Sequence, residues 1–270
     1  MPGLRDNLLG EFYRHQIDLD KIARGNGEVL RGLLWDLRDE LAAEIVQHPD
    51  LTQKNLRQRQ QAQVALFAQI DGILGGSRSQ ISQTAAELLE KTAQWENNWG
   101  MGVYRDMGIL GGIPILTPEQ LKAVASNALV EGAPSSEWWG RQNDKVRVQF
   151  ADEIRKGVLS GETLDQLVAR IRGKSTGKRS SYRLKDGSIR FKPEFTGGIM
   201  ELNTRQAEAL AHTSAMQVAA DTRRTLYAGS SIVEGVTQIS TLDGRTTEVC
   251  IRRHNKTWLF EKRDRKDWSL

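Results

Sequence analysis

The sequence predicts a mainly α-helical chain with long N-terminal helices, a helical hairpin, an inserted basic β-hairpin and a small α+β unit at the C-terminal end. Three observations predict it. Apolar residues recur at three- and four-residue spacing through most of the first hundred positions. Two Thr-x-x-Gln helix starts follow, at Thr117 and Thr163. Short alternating or β-branched runs occur mainly near 181–192 and 232–260.

Residues from about 5 to 108 read as helix. Leu30, Leu34, Leu37, Leu41 and Ile45 form one stripe. Gly25 and Gly27 predict a break before it, and His48-Pro49 ends it, because the residue before proline resists helix. A second stripe, Leu56, Val64, Phe67, Ile70 and Leu74, is predicted to stop at Gly75-Gly76. Ser77 or Ser79 would then cap a third helix carrying Ile81, Leu88, Leu89, Trp95 and Trp99. The polar run QKNLRQRQQAQ, residues 53–63, predicts a face toward solvent or a partner.

Gly108 to Pro118 reads as a linker. Thr117-Pro118-Glu119-Gln120 starts a helix that runs to about Val130. Another begins near Trp138 and continues through Val146, Val148, Phe150 and Ile154. A short turn over 157–161 leads to the helix of Leu164, Leu167, Val168 and Ile171. This is a helix-turn-helix in the broad sense only. Arg170 and Arg172 on its second helix do not form a base-reading pattern.

Residues 173–198 change composition. SYRLK and SIRFK alternate, and Asp186-Gly187 between them predicts a hairpin turn. Lys174, Lys178, Arg179, Arg183, Lys185, Arg190 and Lys192 face only Asp186 and Glu194 in charge. Tyr182, Phe191 and Phe195 sit among them. An isolated hairpin is marginal in water, so it must lie on the protein body, on a neighbouring subunit or on nucleic acid. A phosphate-tracking arm and a solvated loop with lysines guarding its edge are both open on this pattern.

A long helix follows from Asn203 to about Tyr227, its alanines suited to tight packing and Gly229 to its end. Ile232, Val236 and Ile239 then predict a strand, Asp243-Gly244 a turn, and Thr246 or Thr247 the start of a short helix with Cys250. His254-Asn255 is a second turn, and Lys256 to Phe260 a return strand. Asp243, Cys250 and His254 are the polar set that chemistry would need. A zinc site requires three or four ligands and no further Cys or His pair accompanies them. A Cys-His nucleophile pair lacks an orienting partner. The expected roles are structural. Asp243 holds a turn or caps the helix, Arg245 pairs with it or a carbonyl, Cys250 is a small buried apolar residue, and Trp258 roofs a core. The mixed-charge end around Trp268 reads as a solvated tail or a partner anchor.

The chain has 270 residues, a net charge of +4, four histidines and one cysteine. An internal disulfide is excluded, and a reducing compartment is expected. No apolar run is long enough to span a membrane, and no secretory signal is expected from the charged N-terminal stretch. The excess of cations suits a polyanion only where it is clustered.

The order of elements in the last third carries a resemblance. A helix with His212-Thr213-Ser214 early and Arg223-Arg224-x-x-Tyr227 at its end precedes a strand, then Asp243-x-Arg245-Thr246-x-x-x-Cys250. This resembles the C-terminal core of MuF-type phage minor head proteins, the phage head morphogenesis family. Trp138 to Arg172, with Gly157 and Gly161, is similar to that family's upstream segment. The likeness covers about 138–260, interrupted by the basic hairpin. Thr247 stands where the family usually has a first cysteine, His254-Asn255 at its Asp-Gly pair, and His212 and Ser214 where Arg and Glu are usual. A cysteine-pair metal or disulfide therefore does not carry over.

The resemblance implies a structural minor head protein of a double-stranded DNA phage, placed inside the capsid at or near the portal vertex and assembled in the host cytoplasm. It implies the portal protein as partner, several copies around the portal, packaged DNA bound without sequence readout, no cofactor and no membrane. DNA phosphates would meet the hairpin cations named above together with Arg252, Arg253 and Lys256, while Asp243, Arg245, Thr246, Cys250, His254 and Trp258 would form the family's structural motif. The rival reading is an enzyme, a nuclease or a nucleotide-transferring toxin-like activity, since some relatives of this core are fused to such domains. The division expected is 1–112 for portal or self-association, 113–172 for the start of the core, 173–199 for the hairpin insertion and 200–270 for the last helix and the α+β unit.

Overall fold

The computed structural model describes residues 4–106, 114–240, 244 and 246–259. Residues 108–113 of the expected linker, Asp243, Arg245, Phe260 and the tail with Trp268 lie outside these. The chain is mainly α-helical, with three two-stranded antiparallel sheets among the described residues. No helix among them is long and apolar enough to cross a membrane.

Two long helices form the frame: α1 (Leu4–Val46) and α2 (Leu56–Asp106), of 43 and 51 residues. At 1.5 Å per residue, α2 is a rod of about 75 Å. A 3-10 turn at Pro49–Thr52 joins them and inserts Leu51 into the core. After α2 come α3 (Pro118–Asn127), the pair β1 (Leu129–Val130) and β2 (Ala133–Pro134), α4 (Ser135–Leu159) and α5 (Leu164–Arg172). The basic hairpin is β3 (Lys174–Arg183) and β4 (Ile189–Thr196). Helix α6 (Ile199–Gly229) packs against both α1 and α2. Strand β5 (Gly235–Thr237), helix α7 (Glu248–Arg253) and strand β6 (Thr257–Leu259) end the described chain.

Both expected breaks in the N-terminal helices are absent. Helix α1 runs through Gly25 and Gly27 because Gly27 is a contact point: a Cβ there would lie 3.6 Å from the Glu208 backbone of α6. Helix α2 runs through Gly75-Gly76, where nothing crowds the backbone. Two glycines cost roughly 1 kcal/mol each in a helix interior. Burial of Ile70, Leu74 and Ile81 on either side offsets this, at about 1.5–3 kcal/mol per side chain. Ser79 bonds back to the Gly75 carbonyl at 3.3 Å instead of capping a new helix. Leu56, Val64 and Val148, expected on apolar stripes, are exposed.

The two capping boxes form as the sequence predicts. Thr117 accepts from the Gln120 amide at 3.3 Å, and Gln120 accepts from the Thr117 amide at 2.9 Å. Thr163 and Gln166 repeat this at 3.3 and 2.8 Å. Arg170 is spent on structure, donating to Glu162 and Glu153 across the α4–α5 turn. Its bonds to the Glu162 and Glu153 carboxylates hold its pKa well above the ordinary arginine value.

The core falls into two clusters. The larger unites the α1 stripe Leu30–Ile45 with Leu66, Ile70 and Leu74 of α2, Phe150 and Ile154 of α4, Leu167 and Ile171 of α5, and Ala207 and Ala211 of α6. The first, second and fourth of the expected segments thus share one interior. The smaller cluster gathers Ala23, Leu89, Ala93, Leu121, Ala215 and Val218. Alanines at 207, 211, 215 and 219 are all buried, which lets α6 lie close between the long helices.

Candidate functional site

The basic hairpin lies on the protein body. Tyr182 inserts over Gly32 of α1, where any Cβ would overlap its ring, and meets Trp35 edge-on at 5.8 Å. Phe195 sits between two guanidinium groups, Arg38 at 4.7 Å and Arg172 at 4.5 Å. Arg31 donates to the Ser181 carbonyl at 2.8 Å. Gly177, at φ +74°, relieves an irregularity in β3 where the register shifts between Ser175 and Arg179.

This docking consumes part of the charge. Lys192 bridges Asp36 and Asp39, the latter at 3.0 Å. Burial pushes its pKa down, but the two carboxylates outweigh that and the net shift is upward. Lys185 pairs with Glu87 at 2.8 Å and Arg183 with Glu28 at 3.3 Å. Arg179 donates to the Phe191 carbonyl at 3.0 Å. Lys174, Lys178 and Arg190 are exposed without a salt bridge among the described residues. Phe191 projects to solvent, whereas Tyr182 and Phe195 are taken up by the body.

The C-terminal unit has the expected strand, short helix and strand. Thr247 caps α7 by accepting from the Cys250 amide at 3.4 Å. His254 Nδ1 accepts from the Ser240 amide at 3.1 Å, and Ser240 Oγ donates to the Cys250 carbonyl at 3.0 Å. Gly235–Thr237 pairs with Thr257–Leu259, placing Val236 opposite Trp258. Among the described residues no three His, Cys, Asp or Glu side chains converge as a metal site. The compact core expected around Cys250 is not found among the described residues. Cys250 and Trp258 are half-buried, α7 buries none of its residues, and Ile232, Ile239, Val249, Ile251 and Leu259 are all exposed. A six-residue helix and two three-residue strands are too short to enclose an interior. Arg252 lies 3.9 Å from Glu248, with Arg253 half-buried beside it and Lys256 exposed.

The most elaborate polar constellation lies elsewhere and was not singled out from the sequence. Glu96 of α2 is fully buried. It accepts from Arg223 Nε at 2.7 Å through one oxygen and bonds His15 Nε2 at 2.8 Å through the other. The His15 ring lies stacked between Trp95 and Trp99, at 4.3 and 3.5 Å between centroids. Burial pushes the Glu96 carboxyl up, but bonds from His15 and Arg223 and the guanidinium charge outweigh it, and its pKa is lowered. Burial pushes the Tyr104 and Tyr227 phenols up, and their rings meet edge-on at 6.3 Å between centroids. Three helices supply this network, over separations of 81 and 127 residues. The signal available was that His15 extends the Leu19, Ala23, Asn26, Leu30 stripe, and that Glu96 continues Leu89 and Ala93. His212 is likewise an interhelical link, 2.9 Å from Asp20.

Beside this network opens a cleft of about 910 Å³ between the start of α1, the ends of α2 and α6, and β5. No family model, no curated protein and no solved structure matches the chain.

Proposed function

We propose that the chain is a structural, non-catalytic minor head protein of a double-stranded DNA phage, held inside the capsid near the portal vertex. The observation that carries this reading is the order of elements after residue 198. Helix α6 leads to a strand, then to a Thr-capped short helix bearing Cys250, then to a return strand. That is the order on which the resemblance to MuF-type head proteins rests. The long frame of α1 and α2 supplies surface for a portal or for further copies. The hairpin supplies exposed cations at Lys174, Lys178 and Arg190 for phosphate contact without base readout.

Mass spectrometry of purified particles of the phage that encodes the chain tests the reading. The polypeptide is expected in the particle, at a fixed ratio to the portal protein, and its absence refutes the assignment. The DNA contact has its own measurement. Each neutralised phosphate adds about 0.9 to the slope of log affinity against log salt on duplex DNA. Replacing Lys174, Lys178 and Arg190 by Glu is expected to lower that slope by about 2.7 and weaken all sequences alike. An unchanged slope removes the hairpin from the DNA-binding surface.

A further inference from the structure

We propose that the cleft between α1, α2, α6 and β5 binds an extended segment of another polypeptide, apolar in its alternate side chains and carrying a carboxylate. Three observations point to this class of ligand. The walls are aromatic: Phe12 and Tyr13 from α1, Tyr104 from α2 and Tyr227 from α6 line one space of about 910 Å³. One wall is backbone. Gly235, Val236 and Thr237 of β5 line the cleft, and β5 pairs only with β6 among the described residues. A two-stranded sheet leaves a strand edge whose peptide groups can pair with an incoming strand. An extended peptide can use such an edge, which a compact small molecule cannot do along its length.

The third observation is a held cation. Arg223 lines the cleft with its side chain 24% exposed. Its Nε is fixed by the buried Glu96, and its guanidinium lies 5.7 Å from the Trp99 ring centroid. Its two terminal nitrogens make no hydrogen bond among the described residues. An arginine already immobilised loses little side-chain freedom on binding, and its planar fork matches a carboxylate. Aspartate or glutamate on the incoming strand satisfies it, while aliphatic or aromatic neighbours at two-residue spacing cover the tyrosines. This binding site does not depend on whether the chain resides in a virion.

The probe is an array of synthetic nine-residue peptides alternating Val or Phe with Thr, each made with Asp, Asn or Lys at the central position. It is read with the intact 270-residue chain. The Asp series is expected to bind at least tenfold more tightly than the Asn series, and the Lys series not at all. Tyr13→Asp changes a half-exposed wall residue without opening the core and is expected to lower Asp-peptide affinity at least tenfold with an unchanged circular dichroism spectrum. Val148→Asp, at an exposed position that does not line the cleft, is expected to bind as the parent does. Equal binding of Asp and Asn peptides, or full binding by Tyr13→Asp, overturns the proposal. So does self-association of the unliganded chain that Tyr13→Asp abolishes, because the occupant is then a second copy. A tenfold gain in peptide affinity on Trp268→Ala also overturns it, because the chain's own tail then fills the cleft.

Discussion

Among the described residues, two of the three antiparallel strand pairs, β3–β4 and β5–β6, are supported in opposite ways. The β3–β4 hairpin is fixed to the helical body by a ring over a glycine, a phenyl group between two guanidinium groups, and four ion pairs to α1 and α2. The β5–β6 pair leaves five large apolar side chains of its unit exposed and keeps a strand edge at a cleft. Two strands cannot bury enough surface to persist by themselves. The first pair meets that requirement within the chain. The second does not meet it among the described residues.

The largest effect that sharpens this contrast is expected at Glu96, under the cleft that β5 borders. Glu96→Gln leaves Arg223 without its charged partner in a buried position, and such a break costs about 3–5 kcal/mol. Denaturant unfolding checks the loss. The pH dependence follows from the sign of the shift. The folded-state pKa lies below the ordinary value of 4.5, so the carboxylate's contribution is fully present above that pH and is lost as pH falls through the folded value. The Glu96→Gln chain is therefore expected to lose less stability than the parent on acidification below 4.5. Equal losses would remove Glu96 as the source.

At the hairpin seat, Gly32→Ala forces the Tyr182 ring out, and overpacking of this kind costs about 1–3 kcal/mol. Combining it with Tyr182→Ala is expected to cost less than the sum of the two changes, as for residues in direct contact. Strict additivity would mean that Tyr182 does not seat the hairpin. Lys192→Ala removes the bridge to Asp36 and Asp39, with an expected cost of about 1 kcal/mol that shrinks in high salt. The smallest effect belongs to the other β element. Cys250→Ala is expected within about 0.5 kcal/mol of the parent, since the thiol is half-buried on a helix that encloses nothing. A cost near that of Gly32→Ala would show that the C-terminal unit has an interior after all, and would erase the contrast.

Local signals in the sequence predict the structure where the deciding interaction is itself local. Thr117 and Thr163 find their caps three residues away, and Asp186-Gly187 closes its own turn. Gly25 and Gly27 look like a helix break in the sequence because the contact that decides the matter comes from elsewhere in the chain. Gly27 meets Glu208, so this position admits close packing rather than ending a helix. Charge was legible as a cluster but not as a balance, because the carboxylates that neutralise Lys185, Lys192 and Arg183 lie on α1 and α2, about 100 or more residues before them. The Glu96 network was hidden for the same reason. A glutamate on a helix of mixed polarity looks solvated until α1 and α6 close over it.

Because α1 continues unbroken past Gly25 and Gly27, Tyr13 at the cleft and Gly32 beneath the hairpin belong to a single stiff beam. They are roughly 30 Å apart along its axis at 1.5 Å per residue. A hinge at those glycines would have let the two ends move independently. Without one, whatever tilts the beam at the aromatic end also shifts the saddle on which Tyr182 rides.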